Sequence, residues 1–180
     1  TVTDAGATSV FSGGEGDDTF TLTEFGTAYI TAGGAGNDHF DVVISGSDTS
    51  REAVILGGDG TDDTLDIGGA LNTVGATNFA VSGVEVFELD DANGTVALSA
   101  AQFASNNTVK LEGAGGNDVF QVEAAATGST IDASGVTVES SQGVTIKYQA
   151  GAKADTITGG EANETIVSGI VTSSVSDAGG

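Results

Sequence analysis

Short runs in which apolar and polar residues alternate recur along the chain, and they are rich in β-branched and aromatic side chains. Two clear examples are Thr19–Thr23 (TFTLT) and Glu85–Leu89 (EVFEL). A period of two predicts β-strands with one buried face and one solvated face. The same pattern is present at Thr64–Ile67, Thr95–Leu98, Thr108–Leu111, Val119–Val122 and Val144–Tyr148. Runs that return after roughly nine to eleven residues favour an all-β solenoid with one strand and one turn in each half-coil.

Two segments interrupt this pattern. Ser99–Asn106 (SAAQFASN) carries a Ser-x-x-Gln capping box, which predicts a short helix or a turn. Gly68–Gly83 is rich in small residues and is predicted to form a long loop or two weak coils. The aromatic residues predicted to stack inside the solenoid are Phe20, Phe40, Phe87 and Phe120.

A glycine-rich turn precedes several of the predicted strands in nearly the same form. The clearest copies are GGEGDDTF at Gly13–Phe20, GGAGNDHF at Gly33–Phe40 and GGDGTDDTL at Gly57–Leu65. Glycine adopts positive φ without steric cost, so such a turn curls tightly and directs its carbonyl oxygens inward. An aspartate after the last glycine adds an anionic oxygen, and the apolar residue that follows enters the core.

These oxygen-rich turns indicate calcium, because carbonyl and carboxylate oxygens are the ligands that calcium prefers. The pattern GGxGxDxUx, with U a large apolar residue, is the repeat of calcium-binding parallel β-helices. The ligands predicted from the first three copies are Gly14, Gly16, Asp18, Gly34, Gly36, Asp38, Gly58, Gly60, Asp62 and Asp63. One extra residue in the third copy leaves open whether Asp62 or Asp63 is its ligand. Aspartate also favours turns that bind no metal, so a purely structural role stays open for each of them.

Three further copies depart from this pattern. GAGGNDVF at Gly113–Phe120 lacks the second glycine, and AGAKADTIT at Ala150–Thr158 has Lys153 at a glycine position, where its charge would repel a cation. GGEANETIV at Gly159–Val167 has Glu164 in place of the aspartate. The ligands predicted from these copies are Gly116, Asp118 and Asp155. The residues one position before the motif aspartates, Asp17, Asn37 and Asn117, are predicted to stabilise the turn or to provide a carbonyl oxygen instead of a carboxylate.

The copies start at positions 13, 33, 57, 113, 150 and 159, so only the last pair is nine residues apart. This irregular spacing predicts a β-helix whose coils differ in length. We expect a single domain, 1–180, with a motif-rich part (1–67), spacer coils (68–112) and degenerate motif coils (113–180).

The glycine and aspartate frames resemble those of the RTX (repeats-in-toxin) family of secreted bacterial proteins. The residues that carry the resemblance are Gly13, Gly14, Gly16, Asp18 and Phe20, and then Gly33, Gly34, Gly36, Asp38 and Phe40. The resemblance implies a parallel β-roll that holds calcium ions between successive turns, so that one motif forms half of a site. It also implies export by a type I secretion system. The sparse motifs and long spacers look more like the RTX regions of surface-layer proteins and large adhesins than like the dense arrays of toxins and proteases.

The charge balance excludes several partners. The chain has 26 acidic and 4 basic side chains and a formal net charge of −22. Nucleic acid and anionic membrane surfaces are therefore excluded, because each requires a basic patch. No apolar run is long enough for membrane insertion. Self-repulsion at this charge opposes compaction, and multivalent cations would relieve it. The chain has no cysteine and therefore no disulfides, so calcium is the cross-link that remains available to stabilise an extracellular domain.

The sequence offers little for catalysis. His39 is the single histidine and occupies a variable motif position, and no GxSxG frame is present for a hydrolase triad. One histidine without cysteine does not fill a usual zinc site. Carboxylate pairs are too abundant to exclude a glycosidase dyad by counting. Two tyrosines and no tryptophan argue against a sugar-stacking cleft, however.

We therefore expect a non-enzymatic calcium-binding module that folds outside the bacterial cell, where calcium reaches the 10⁻⁴–10⁻³ M range that extracellular modules bind. It would belong to a surface-layer protein or a repeat-built adhesin at the cell surface. Self-association, lattice contacts, or cell-surface polysaccharide bound through other regions are the expected further interactions. The alternative is the secretion and folding module of a larger secreted enzyme or toxin. A third hypothesis, recognition of sugar or ice by threonine rows, would require more regular spacing.

Overall fold

The structure, a computed structural model, describes residues 2–5, 8–24, 28–44, 52–72, 79–89, 95–104, 106, 109–113, 117–138, 144–160, 164–167 and 174–176. Within these residues the chain is built almost entirely of parallel β-strands that wind into a solenoid. The predicted all-β class and the parallel β-roll or β-helix architecture are confirmed. Among the described residues there is no helix long and apolar enough to cross a membrane.

The elements follow one another along the chain with short connections. The strands are β1 (Val2–Ala5), β2 (Thr8–Glu15), β3 (Thr19–Glu24), β4 (Ala28–Ala35), β5 (His39–Ile44), β6 (Glu52–Asp59), β7 (Thr64–Asn72), β8 (Phe79–Ser82), β9 (Val86–Leu89), β10 (Thr95–Ser99), β11 (Lys110–Gly113), β12 (Val119–Glu123), β13 (Thr130–Asp132), β14 (Thr137–Val138), β15 (Thr145–Gln149), β16 (Thr156–Thr158), β17 (Glu164–Val167) and β18 (Ser174–Ser176). One short helix, α1 (Ala100–Ala104), lies between β10 and β11.

In the first part of the solenoid, each coil contributes one strand to each of two sheets. β2, β4, β6 and β8 stack in order in one sheet, and β1, β3, β5 and β7 stack in the other. The pairs are parallel, with Phe20 beside Phe40 and Phe40 beside Leu65. Each glycine-rich turn connects the two strands of its own coil. The turns of successive coils therefore lie directly above one another at one edge of the solenoid.

From β7 onward the solenoid has a third side. The start of β7, at Thr64–Ile67, pairs with β9, whereas its end, at Ala70–Asn72, pairs with β10. The sheet that contains β1, β3, β5 and β7 divides here. One branch continues with β9, β11 and β14, and the other with β10, β12, β15 and β17. β13, β16 and β18 form a separate sheet.

The core is a continuous column of apolar side chains. Phe20 and Phe40 stack with ring centroids 5.1 Å apart, and Phe87 and Phe120 meet edge to face at 5.6 Å. All four are buried, as their positions in the alternating pattern predicted. The column runs without a break as far as Ile157, so the motif-rich coils and the later coils share one core.

The spacing of equivalent positions confirms irregular coils. Asp18 and Asp38 hold equivalent positions 20 residues apart, whereas the step from Asp38 to the next coil is 25 residues. Near the end the coils shorten. Tyr148 pairs with Ile166, and Ile157 pairs with Val175, so both sheets advance by 18 residues there. Equivalent positions of the successive strands β15 to β18, which are Tyr148, Ile157, Ile166 and Val175, thus lie nine residues apart.

Two of the predicted interruptions have different outcomes. The capping box is confirmed: the Ser99 backbone N–H donates to Gln102 Oε1 at 3.0 Å, and the Gln102 N–H donates to Ser99 Oγ at 3.3 Å. Of the two alternatives predicted for Gly68–Gly83, the long loop is wrong, because β7 continues to Asn72 and β8 occupies Phe79–Ser82. Residues 73–78 lie outside the described residues. The end of β7 stays in a strand because it pairs with β10, which is distant in sequence. The local run of small residues does not indicate this pairing.

Candidate metal centre

The stacked turns bring the motif glycines into columns. Gly14 pairs with Gly34, which pairs with Gly58, and all three have positive φ, between 103° and 123°. A Cβ atom at Gly34 or Gly58 would overlap the carbonyl oxygen of the glycine in the coil before it. Only glycine fits, because both the left-handed backbone and the close approach of the next coil exclude a side chain.

A second glycine column faces the motif aspartates. A Cβ atom at Gly33 would lie 2.6 Å from the carbonyl oxygen of Gly57 and closer still to Asp38 Oδ2. The same arrangement recurs one coil earlier, where a Cβ atom at Gly13 would lie 2.6 Å from the Gly33 carbonyl oxygen and closer to Asp18 Oδ2. Each of these gaps is therefore bordered by a carboxylate oxygen of one coil and a carbonyl oxygen of the next.

The aspartates form a ladder between coils. The Asp18 backbone N–H donates to Asp38 Oδ1 at 2.8 Å, and the Asp38 N–H donates to Asp63 Oδ1 at 2.7 Å. This register places Asp63, and not Asp62, in the column with Asp18 and Asp38. Asp62 instead forms an ion pair with Lys110.

The second oxygens of two ladder aspartates lack donors. Asp38 and Asp63 are 1% and 0% exposed, and the Oδ2 atom of each has no hydrogen-bond partner within the described residues. Asp38 Oδ2 and the Gly57 carbonyl oxygen face the same gap, as do Asp63 Oδ2 and the Gly83 carbonyl oxygen. Two acceptors that face each other repel unless a proton or a cation lies between them.

The surroundings disfavour the negative charge of these groups. Burial raises the pKa of Asp38, and the nearby carboxylates of Asp18 and Asp17 add to the rise, although the hydrogen bond from the Asp18 backbone opposes it. Burial likewise raises the pKa of Asp63, again with a backbone hydrogen bond in opposition. A carboxylate whose pKa is raised in this way gains from any bound cation that restores the charged form.

The residues before the ladder aspartates support the turns. The Asn37 backbone N–H donates to Asp17 Oδ1 at 2.8 Å, and the Thr61 N–H donates to Asn37 Oδ1 at 3.3 Å. Both side chains thus connect successive turns on the exposed side of the ladder. These contacts agree with the turn-stabilising role predicted for the position of Asp17.

The candidates of the later coils lie apart from this ladder. Asp118 is fully buried before β12, and its carbonyl oxygen accepts a hydrogen bond from Thr145 N–H at 2.7 Å. Asp155 accepts from Ser129 N–H and from Gly151 N–H, both at 2.7 Å, one at each carboxylate oxygen. Backbone donors therefore satisfy both oxygens of Asp155, unlike those of Asp38. The predicted ligand Gly116 lies outside the described residues.

The sequence analysis missed Glu85. Its Oε2 atom accepts the backbone N–H of Asp63 at 3.1 Å, which is the contact that Asp38 and Asp63 make with the coil before them. Burial raises the pKa of Glu85, and the charge of Asp63 contributes. No complete glycine motif precedes this residue, so only the 22-residue step from Asp63 could have indicated its place.

Backbone oxygens are essential to any metal site at this edge. Within the part of the chain that the structure describes, no three Asp, Glu, His or Cys side chains come together as a metal site. Calcium takes six to eight oxygen ligands and accepts backbone carbonyls among them. The glycine columns supply such carbonyls next to the carboxylates. Comparisons of the chain with protein-family models, with curated proteins and with solved structures found no match.

Proposed function

We propose that this protein is a non-enzymatic, calcium-binding structural module that folds when calcium binds. The proposal is carried by two pairs of acceptors between coils. Asp38 Oδ2 faces the Gly57 carbonyl, and Asp63 Oδ2 faces the Gly83 carbonyl. A buried acceptor without a donor costs about 1–3 kcal/mol. A calcium ion would turn this repulsion into coordination.

The proposed mechanism couples ion binding to folding. Each gap contains oxygens from two successive coils, so an ion held there would connect coils that are distant in sequence. Since the gap exists only when the coils are stacked, the free energy of calcium binding would also stabilise the fold. The net charge of −22 adds a general repulsion that the same ions would relieve.

For its biological setting, the proposal follows the resemblance to the RTX family. We place the module outside a bacterial cell, in a surface-layer protein or a repeat-built adhesin exported by type I secretion, where an unfolded state in low calcium would aid export. The alternative is the secretion and folding module of a larger secreted enzyme or toxin. A catalytic domain elsewhere in the full-length gene product would favour that alternative.

The test is a calcium titration followed by far-UV circular dichroism, with magnesium as the ion control. The wild-type chain should gain β signal cooperatively between about 10⁻⁴ and 10⁻³ M calcium. The Asp38→Asn/Asp63→Asn variant should lose this response. A matched control is Asp41→Asn/Asp66→Asn, which removes the same charge from neighbouring positions of β5 and β7 outside the gaps.

The control variant should respond to calcium as the wild-type chain does. If the ladder variant also responds like the wild type, calcium does not bind in these gaps. If the wild-type chain is fully folded in chelator and calcium has no effect, the protein is a calcium-independent solenoid and the proposal fails.

A further inference from the structure

The fourth coil continues the oxygen ladder although its turn lacks the full glycine and aspartate motif. Gly83 has positive φ, 66°, and stacks on the glycine turn of the third coil. A Cβ atom at Gly57 would overlap the Gly83 carbonyl oxygen and lie 2.6 Å from Asp63 Oδ2. This is the arrangement that the motif coils create at Gly33, with Gly83 in the position of a motif glycine.

Glu85 holds the place of the motif aspartate in this coil. Its carboxylate accepts the Asp63 backbone N–H at 3.1 Å, and its own N–H donates to the Asp63 carbonyl oxygen at 3.0 Å. The backbone hydrogen bond and the carboxylate contact together fix Glu85 above Asp63. An anionic oxygen from the fourth coil is thus held next to the gap between coils three and four.

The buried Asp63 Oδ2 atom points to a bound ligand independently of the Glu85 contacts. Asp63 is 0% exposed, and this atom has no hydrogen-bond partner within the described residues. It faces the Gly83 carbonyl oxygen, so the gap borders two acceptors and lies beside the carboxylate of Glu85.

We propose that a calcium-type divalent cation binds between coils three and four, with Asp63, the Gly83 carbonyl and Glu85 as ligands. This inference rests on the proposed calcium function and adds Glu85, a ligand that no motif in the sequence marks, to the gap between Asp63 and Gly83. The column of ions in the first part of the solenoid would then hold three inter-coil sites. Two lie between pairs of motif turns, and the third lies between the last motif turn and the turn of Glu85.

The next coil ends the column with hydrogen-bond donors. Asn106 is 2% exposed; its Oδ1 atom accepts the Val84 N–H at 2.9 Å, and its Nδ2 atom donates to the Gln102 carbonyl oxygen at 2.7 Å. A neutral amide therefore lies beside the fourth coil, at Val84, where the earlier coils place a carboxylate. This difference disfavours a fourth ion beyond Glu85.

The experiment counts bound calcium by native mass spectrometry and measures each affinity by isothermal titration calorimetry. Glu85→Gln keeps an acceptor for the Asp63 N–H but removes the charge. It should bind one ion fewer than the wild-type chain, or lose about tenfold or more in the affinity of one site. The matched control is Glu88→Gln, which removes the same charge three residues later in β9 and should leave the ion count unchanged.

The outcomes separate this inference from the proposed function. Unchanged ion count and affinities in Glu85→Gln, with loss of ions in Asp63→Asn, would overturn the Glu85 site and leave the calcium function intact. A wild-type chain that binds no calcium would overturn both. If Glu85→Gln does not fold, the ion count of the wild-type chain decides: at least three bound calcium ions support the site, and fewer than three overturn it.

Discussion

At the residue scale, the two oxygens of the Asp38 carboxylate have separate roles. Oδ1 accepts a hydrogen bond from the preceding coil, and Oδ2 faces the Gly57 carbonyl without a donor. Asp155 shows the contrasting arrangement, because backbone N–H groups donate to both of its carboxylate oxygens. The second oxygen of Asp38 is therefore the feature that supports the proposed ligand role over a role in the turn alone.

Replacing this carboxylate by an amide should separate stability from calcium response. In Asp38→Asn, Oδ1 still accepts the Asp18 N–H, while the new amide N–H₂ donates to the Gly57 carbonyl. We expect the calcium-free variant to be about 1–3 kcal/mol more stable than the calcium-free wild type, because an acceptor pair becomes a hydrogen bond. Calcium should add less stability to the variant. Urea unfolding in chelator and in calcium measures both, with Asp41→Asn as the control.

Two glycines of one column should differ in their tolerance of alanine. At Gly14 a Cβ atom meets nothing within 4 Å, so Gly14→Ala should cost only the strain of positive φ, about 1–2 kcal/mol. At Gly34 the same atom overlaps the Gly14 carbonyl, so Gly34→Ala should cost about 3 kcal/mol or more. Denaturant unfolding of the two variants under identical calcium compares them. Equal losses would mean that the coils are not stacked at this distance.

At the element scale, α1 closes the core where the third side of the solenoid begins. Its Phe103 side chain is 2% exposed and lies 6.3 Å from the ring of Phe120. The helix is too short to be stable by itself, and the Ser99–Gln102 capping box together with this buried ring holds it in place.

Truncation of this ring tests that role. Phe103→Ala should lower the free energy of unfolding by about 3–5 kcal/mol, because it leaves a cavity in the column of apolar side chains. Phe103→Leu keeps most of the volume and should cost less than about 1.5 kcal/mol. Thermal or urea unfolding in saturating calcium gives both values. A loss below about 1 kcal/mol in Phe103→Ala would show that α1 does not contribute to the core.

Local sequence pattern was enough to predict some of the elements but not their register, and it predicted no strand at the positions of β2, β4 and β6. Alternation identified β3 and β12, and the capping box identified α1, since each depends on neighbouring residues alone. The choice between Asp62 and Asp63 and the place of Glu85 depend on coil length, because a one-residue change in the turn decides which side chain enters the ladder. The length of β7 likewise depends on strands β9 and β10, which pair with its two halves. Whether the ladder binds calcium stays a prediction.

At the scale of the whole molecule, two electrostatic costs oppose folding in the absence of ions. The net charge of −22 repels itself over the entire surface and is screened by any salt. The buried acceptor pairs are local, and monovalent salt at the surface does not supply them with a ligand. High sodium chloride should therefore relieve only the first cost, whereas calcium at millimolar concentration should relieve both.

The pH dependence of stability follows from the buried carboxylates of the ladder. Its sign should depend on whether calcium is bound. Burial raises the pKa of Asp38 and Asp63 above the ordinary 3.8, and that of Glu85 above 4.5. In the calcium-free chain these groups bind protons more readily when folded than when unfolded. The free energy of unfolding should therefore rise as the pH falls from neutral toward those ordinary values, and this contribution should be fully present below them.

Calcium should reverse this slope. Protons and calcium compete for the same carboxylate oxygens, so acidification in saturating calcium releases ions and lowers the free energy of unfolding. Asp132, whose pKa is lowered by hydrogen bonds from Ser134, loses its stabilising contribution on acidification in both conditions and cancels in the comparison. Urea unfolding between neutral pH and about pH 4.5, in chelator and in calcium, measures the two slopes. The Asp38→Asn/Asp63→Asn variant gives the background from general charge repulsion. Parallel slopes in the wild-type chain with and without calcium would contradict ion binding at the ladder, because protons would then have no competitor there.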